Sequence, residues 1–275
     1  MAVTTFIPEL WNARLLAHLD KAHVATAFVN RDYEGEIKQK GDTVHVNQLG
    51  AITVRDYTPG TAITVEDLAT TDQTLVIDQD KYWAFKVEDL DKVQAAGPMV
   101  DEAMNSAAYG IADTVDAKIF AVIAAAAPAA NTIGTNASKI ALTAANVYEN
   151  IVKMKTALDK KNVSKNGRKL AISPEVEALL LLDDRFVKAG VQESEDRLEN
   201  GFVGRVAGFD AYVSNNLPDN TILASVASAT SFAEQLVSTE ALRSETAFAD
   251  VVRGHDVYGV KTFVADAVAK LLYTI

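Results

Sequence analysis

The chain has 275 residues, of which 49% are hydrophobic and 23% charged, and it carries a formal net charge of −11 with no cysteine. Such a composition is typical of a folded protein, and the length allows one large domain or two smaller ones. The missing cysteine excludes disulfides, thiolate catalysis and cysteine-bound metals, and the acidic balance argues against a dedicated nucleic-acid binder.

The first thirty residues predict a short tail and then a helix. Trp11, Leu15 and Leu19 recur at helical spacing, and Pro8 suits a first helical turn. No basic start followed by an apolar stretch marks a signal peptide. No apolar run reaches the roughly 18 residues that a transmembrane helix needs, so we expect no membrane partner.

From Gly41 to Val87 the apolar residues recur with a period of two, which favours strands. The alternating apolar residues are Val44, Val46, Ile52, Val54, Ile63, Val65, Leu75, Ile77, Trp83, Phe85 and Val87. Thr58–Thr61 suits a type II turn, with Pro59 and Gly60 as its central pair. We therefore expect one long β-hairpin with flanking strands, and a bulge or strand break near Gln79 and Lys81.

A long helix is predicted from Pro98 to Ala127, where Pro128 ends it. Its expected apolar stripe is Met99, Ala103, Ala107, Ile111, Val115 and Ile119, widened by Met104, Ala108 and Val122. Asp101, Glu102, Asp113 and Asp116 lie off this stripe.

The remaining residues predict short helices and strands in blocks. The expected helices are Thr143–Lys160 with Thr143 as N-cap, Pro174–Leu182 and Ser231–Leu236, and the expected strands are Lys169–Ser173, Phe209–Ser214, Thr221–Ala227, Val251–Arg253 and Val257–Val264. Residues 129–141 and 201–208 are expected to be a polar loop and a glycine-rich turn, and the apolar end, 265–275, to close a sheet. The fold class is therefore α+β.

No group of residues has the spacing of a catalytic or metal site. His18, His23, His45 and His255 lack any metal-ligand spacing, and the glycines between 201 and 208 do not form a phosphate-binding motif. The acidic clusters at 88–91 and 183–184 are better explained as solvated charge. We expect no enzyme activity, no cofactor and no metal.

The order of several segments is similar to that of the major capsid proteins of tailed bacteriophages, which have the Hong Kong 97 fold, and within them to the P22-coat-like group. The segments are Phe6–Trp11, Gly41–Val46, Tyr57–Gly60, Asp80–Val87, Gly204–Ser214 and Arg253–Lys261. Together they span nearly the whole chain in the same order.

The resemblance implies a division of the chain. Residues 1–40 become an N-arm, and 41–128 the extended loop and the peripheral domain, with a spine helix over 98–127. Residues 129–250 become an axial domain, and 251–275 return as strands to the peripheral domain. Because the arm-like segment begins almost at Met1, we expect a separate scaffolding protein or none. The Lys–Asn isopeptide bond of some relatives stays unassigned, although Lys81 is available.

The function that follows is an icosahedral head shell built from hexamers and pentamers of this chain, enclosing double-stranded DNA without sequence-specific binding. A portal is a further partner, and the protein belongs in the virion after assembly in the host bacterial cytoplasm. The alternative is an encapsulin-like nanocompartment shell enclosing enzyme cargo. The hairpin's apolar face, with Val44, Val54, Val65 and Trp83, can be covered in cis or by a neighbour. The candidate interface residues are Trp11, Leu15, Val54, Tyr57, Pro59, Lys81, Trp83 and Arg197.

Overall fold

The computed structural model describes residues 24–33, 41–49, 52–57, 59–60, 62–63, 65–67, 70–88, 99–183, 202–243 and 248–275. The strands are β1 (Thr43–Leu49), β2 (Thr70–Val76), β3 (Gln79–Glu88), β4 (Thr132–Ile133), β5 (Ile140–Ala141), β6 (Arg168–Ile172), β7 (Phe202–Val206), β8 (Phe209–Val213), β9 (Thr221–Val226), β10 (Thr230–Arg243), β11 (Ala249–Thr262) and β12 (Ala269–Thr274). The α-helices are α1 (Met99–Ala126), α2 (Val147–Lys160) and α3 (Pro174–Leu181), and 3-10 helices lie at Ala25–Phe28, Ala129–Asn131, Ala227–Ala229 and Ala265–Ala267.

Three sheets organise these elements. The largest has the order β4-β12-β9-β6-β8-β7, with β5 also paired to β12. A second sheet has the order β10-β11-β3 and is antiparallel throughout, and β1 and β2 form a separate antiparallel hairpin. This arrangement confirms the predicted α+β class.

Helix α1 lies against both larger sheets. Its 28 residues give a length of roughly 42 Å, and it ends just before Pro128, as predicted. Its buried side chains include Ile111, Val115, Ile119 and Phe120. They share one apolar core with Phe232, Val252 and Tyr258 of the three-stranded sheet and with Ala171 and Leu223 of the larger sheet. Burying one continuous helix face against two sheets holds them in one body.

A second core lies between the larger sheet and the other two α-helices. Its fully buried members include Ile151, Met154, Leu158, Val176, Leu180, Leu170, Ile222 and Leu271. Helix α3 begins as the sequence predicts, because the Val176 N–H donates to Ser173 Oγ at 3.4 Å and Pro174 occupies the first turn.

The β1–β2 hairpin is attached to the three-stranded sheet at its base. Val44, Leu75 and Ile77 are buried there together with Ala233 and Val257. The backbone of β2 approaches β11 so closely that a Cβ atom on Gly259 would lie 2.4 Å from the Val76 carbonyl oxygen. Glycine at this position is therefore what lets the hairpin base pack on β11.

The predicted helix at Ser231–Leu236 is wrong, because these residues form part of β10. Phe232 faces the α1 core, whereas Ala233 faces the hairpin base. A segment of six residues is too short for apolar periodicity alone to distinguish a helix from a strand. Pairing with β11 decides the outcome.

Other differences also come from long-range pairing. The expected loop 129–141 contains β4 and β5, which pair with β12, and the expected turn 201–208 contains β7, which pairs with β8. The two strands predicted between 251 and 264 are one strand, β11. The predicted strand break near Gln79 lies between the end of β2 at Val76 and the start of β3 at Gln79, and β3 then runs through Lys81. Helix α2 begins at Val147, later than predicted, and Thr143 donates its N–H to Asn146 Oδ1 at 2.9 Å.

Strands on either side of the boundary expected at residue 250 pair within both larger sheets. Strand β10 precedes that boundary but pairs with β11, and β12 follows it but pairs with β9 in the larger sheet. Of the two C-terminal strands, β11 and β12, it is β11 that pairs with β3. The larger sheet therefore receives the last strand of the chain.

We predict that Gly259→Ala lowers the free energy of unfolding of unassembled subunits by about 1–3 kcal/mol, because the added methyl group meets backbone. Gly110→Ala is the control, since a Cβ atom there meets nothing within 4 Å and alanine favours the interior of a helix. Urea denaturation measures both variants. Equal stability of Gly259→Ala and the parent chain would contradict the close packing of β2 on β11.

Candidate subunit interface

The hairpin tip carries apolar side chains with no cover. Val54 is 94% exposed and Val65 84%, and Ile52, Tyr57 and Ile63 are exposed as well. Isolated exposed apolar residues are ordinary, but a group at one end of a hairpin indicates an interaction site. Among the described residues of this tip, no strand forms beyond Leu49 and before Thr70, so the strands of the predicted hairpin pair over β1 and β2 and not along the tip.

Charged and apolar side chains alternate along the tip. Arg55 pairs with Glu66 across the two arms, and the Thr53 N–H also donates to a Glu66 oxygen at 3.3 Å. The alternation predicts that Val54 points away from its neighbours Thr53 and Arg55. We therefore expect one face of the tip to be charged and paired and the other to be apolar. Gly60 has φ +91°, which fits the predicted type II turn.

Two of the apolar residues predicted to need a covering surface find it within the subunit. Val44 is buried at the hairpin base. Trp83 is half-buried beside the α1 core, its ring lies over Gly254, and it stacks on Phe85 with ring centroids 5.8 Å apart. Of the four, only Val54 and Val65 remain uncovered.

The other candidate interface residues fall into two groups. Pro59 and Lys81 are exposed. Trp11, Leu15 and Arg197 lie outside the described residues, as does the helix predicted in the first part of the chain.

The first described segment is built into the body of the subunit. Ala25 and Phe28 are fully buried. The Phe28 ring lies edge-on to Phe120 of α1 and to Tyr212 of β8, with centroids 5.5 Å away in each case. We call residues 24–33 the arm root, because they are the described part of the predicted N-arm, residues 1–40.

Polar contacts hold the arm root from three sides. Asp116 of α1 accepts hydrogen bonds from the backbone N–H groups of Val24 at 3.1 Å and Ala25 at 3.3 Å. Lys169 of β6 donates to the Ala27 carbonyl oxygen. Asn30 forms a parallel β-bridge with Ser231 of β10 through backbone hydrogen bonds.

Asp116 is buried, with 2% exposure, although it lies off the predicted apolar stripe of α1. Burial raises the pKa of Asp116 to about 6, the two backbone hydrogen bonds oppose this rise, and Asp113 adds to it. Burial also lowers the pKa of Lys169. Both side chains act on backbone groups distant in sequence, and periodicity along one helix or strand gives no signal of that.

Further apolar side chains are exposed on the three-stranded sheet and at Phe248, which directly precedes β11. Tyr82 of β3 is 84% exposed, Phe248 86% and Leu242 of β10 46%. The alternation of β3 could have identified Tyr82, because it points opposite to Trp83.

The described residues contain no group of His, Asp and Glu that could hold a metal ion. His45 Nδ1 lies 2.7 Å from an Asp72 oxygen, and His255 pairs with Asp80. Within the same part of the chain, none of the helices combines the length and apolar character that crossing a bilayer requires.

Comparison with known proteins gives a consistent result. Residues 72–271 match the family model of the phage capsid protein. A structure from Mycobacterium phage Che8 is 27% identical, with a TM-score of 0.73 and 98% of each chain covered. The capsid structure of cyanophage P-SCSP1u is 17% identical, with a TM-score of 0.72, and covers 90% of this chain and 86% of its own.

The asymmetric unit of the bacteriophage PhiM1 mature capsid has a TM-score of 0.63 at 16% identity, covering 89% of this chain and 87% of its own. At identities below a quarter, the cyanophage and PhiM1 structures show the shared fold alone. No curated protein sequence matches the chain.

The burial of Asp116 against the arm root predicts a pH dependence of the subunit's stability. The pKa of Asp116 is about 6 in the folded subunit, against an ordinary value of 3.8. Protonation of Asp116 therefore stabilises the fold fully below pH 3.8, and this contribution is lost as the pH rises through 6. Asp116→Asn lacks this titration but leaves one backbone N–H without its acceptor. We therefore expect the variant to be less stable at pH 4, and its deficit to shrink by up to about 3 kcal/mol by pH 7.

Urea denaturation of unassembled subunits across this pH range measures the difference. Asp256, whose pKa burial also raises to about 6, is unchanged in both proteins, so its contribution cancels. A deficit that grows with pH would show that the fold prefers the Asp116 carboxylate and would refute this assignment.

Proposed function

The chain belongs to the phage capsid protein family and is a major capsid protein, and we propose that its copies close into an icosahedral shell of hexamers and pentamers around the double-stranded DNA of a tailed bacteriophage. Its place is the capsid of the virion. Assembly takes place in the host bacterial cytoplasm under this proposal, with a portal and a separate scaffolding protein as further partners.

The observation that carries the proposal is the uncovered apolar face of the hairpin tip. Val54 and Val65 are almost fully exposed, while the base of the same hairpin is buried on β11. Burial stabilises by about 25 cal/mol for each Å² of apolar surface removed from water. A neighbouring copy that covers this face therefore gains free energy at every repeat of the contact, and closed symmetry multiplies the gain.

We assign the remaining parts accordingly. Residues 1–40 form the N-arm, whose part before the arm root reaches a neighbour, with Trp11 and Leu15 as its anchors. The β1–β2 hairpin with Tyr57 and Pro59 is the extended loop, and α1 is the spine helix of the peripheral domain. The larger sheet with α2 and α3 forms the axial domain, where Arg197 faces neighbours. Lys81 and Trp83 are the candidate interface residues of the peripheral domain.

The enclosed DNA requires no sequence-specific contact. The chain has a formal net charge of −11, which repels phosphate on average. A container whose subunits bind one another is consistent with this charge.

An encapsulin-like nanocompartment is the alternative that the same fold allows. The family match over residues 72–271 and the 27% identity to the Che8 phage structure favour the capsid. Nucleic acid inside purified particles supports the capsid, whereas enzyme cargo supports the alternative.

We predict that the double variant Val54→Asp, Val65→Asp greatly reduces the yield of closed particles, because it places two charges on the face that a neighbour covers. The free energy of unfolding of the unassembled subunit should change by less than about 0.5 kcal/mol, since both side chains are exposed. Electron microscopy and sedimentation count particles, and denaturation reports subunit stability.

Thr53→Asp is the matched control, because it adds a charge to the same tip on the opposite face. It should leave assembly close to normal. Normal particle yield from the double variant would refute the proposed role of the apolar face.

A further inference from the structure

A cationic cavity lies at the end of the larger sheet that is distant from β4. It has a volume of about 490 Å³, and among the described residues its wall includes Lys155, Lys165, Arg168 and Arg205 and one carboxylate, Asp210. These residues come from α2, from the turn before β6, from β6 itself and from the β7–β8 hairpin. Even with Asp159, which pairs with Arg168, the four cations outnumber the acids here, whereas in the whole chain 37 acidic residues outnumber 26 basic ones.

Arg168 is the buried member of this wall, with 2% exposure. Its Nε donates to the Ser164 carbonyl oxygen at 2.8 Å, and its Nη2 donates to the Val163 carbonyl oxygen at 2.7 Å and lies 2.8 Å from an Asp159 oxygen. Its Nη1 is also buried but has no hydrogen-bond partner in the described part of the chain. A guanidinium nitrogen can only donate hydrogen bonds, so a buried Nη1 without an acceptor oxygen is costly.

The other cations leave the cavity with excess positive charge. Arg205 and Asp210 pair with each other at 2.8 Å. Lys155 and Lys165, by contrast, form no ion pair with any described residue. The Lys155 ammonium lies over the β7–β8 turn, 3.7 Å from where a Cβ atom on Gly208 would lie. Two lysines and the buried guanidinium thus surround one concave site.

We propose that this cavity binds the carboxylate of an Asp or Glu side chain from a second copy of the chain. A carboxylate supplies acceptor oxygens for Arg168 Nη1 and the two lysines, and burial away from water strengthens such charge-assisted bonds. The inference rests on the proposed function, because an assembled shell brings the second copy into place.

A carboxylate fits better than the phosphates of a nucleic acid. Binding along a DNA backbone needs an extended basic face, whereas this site is a single cavity with Asp159 and Asp210 beside it. A second copy also offers an acidic surface in abundance, which makes the charges of the two partners complementary.

The experiment is zero-length cross-linking of purified particles with a carbodiimide, which joins a carboxylate to a lysine amine in direct contact. We expect a covalent dimer whose cross-linked peptide contains Lys155 or Lys165 joined to an Asp or Glu of the other copy. The variant Lys155→Arg, Lys165→Arg keeps the charge but offers no amine, so it should form particles without this dimer. Lys155→Glu, Lys165→Glu should lower the particle yield, whereas the exposed control Lys261→Glu should not.

Particles that give other cross-links but none at Lys155 or Lys165 overturn the carboxylate contact and leave the proposed function intact. Removal of packaged nucleic acid that increases the reactivity of these lysines toward an acylating reagent overturns it in favour of phosphate. A preparation with no particles at all would instead refute the proposed function.

Discussion

The hairpin can be covered by its own subunit only at its base, and the rest of the account depends on this constraint. Val44, Leu75 and Ile77 reach Ala233 and Val257 because β11 lies directly beneath them. Farther along, Val54 and Val65 are 94% and 84% exposed, and no described part of the subunit covers them. A two-stranded ribbon is marginally stable alone in water, so a stable tip requires a partner. The exposed surface is thus a property of the fold and sets how copies associate.

A rigid base makes such a contact geometrically specific. The arm root is tied to α1 by Asp116, to the larger sheet by Lys169 and to the three-stranded sheet by Asn30. Helix α1 contributes to the same core as both sheets. These contacts join the arm root, α1 and the two larger sheets into one body. A body of this kind can hold the fixed angles that closed symmetry requires.

The sequence predicts elements well where the information is local. The period of apolar residues and Pro128 define α1, and the alternation around Val44 and Leu75 defines the hairpin. Prediction fails where a partner far along the chain decides. Ser231–Leu236 becomes a strand through β11, and β4 and β5 exist only because β12 passes beside them.

The candidate interface residues show the same difference between local and long-range information. The exposure of Val54 and Tyr57 follows from their position between turn residues and short alternating segments. Whether Trp83 is covered in cis depends on Gly254, 171 positions away in the chain, which leaves room for the indole ring. Asp116 gives no warning of its burial, since its partners are backbone groups of the arm root.

Thiol accessibility at the hairpin tip tests the central claim most directly. The chain contains no cysteine, so Val54→Cys provides a single reactive group. The account predicts rapid labelling by a thiol reagent in unassembled subunits and strong protection in closed particles. Equally rapid labelling in both states would contradict the claim that a second copy covers this face.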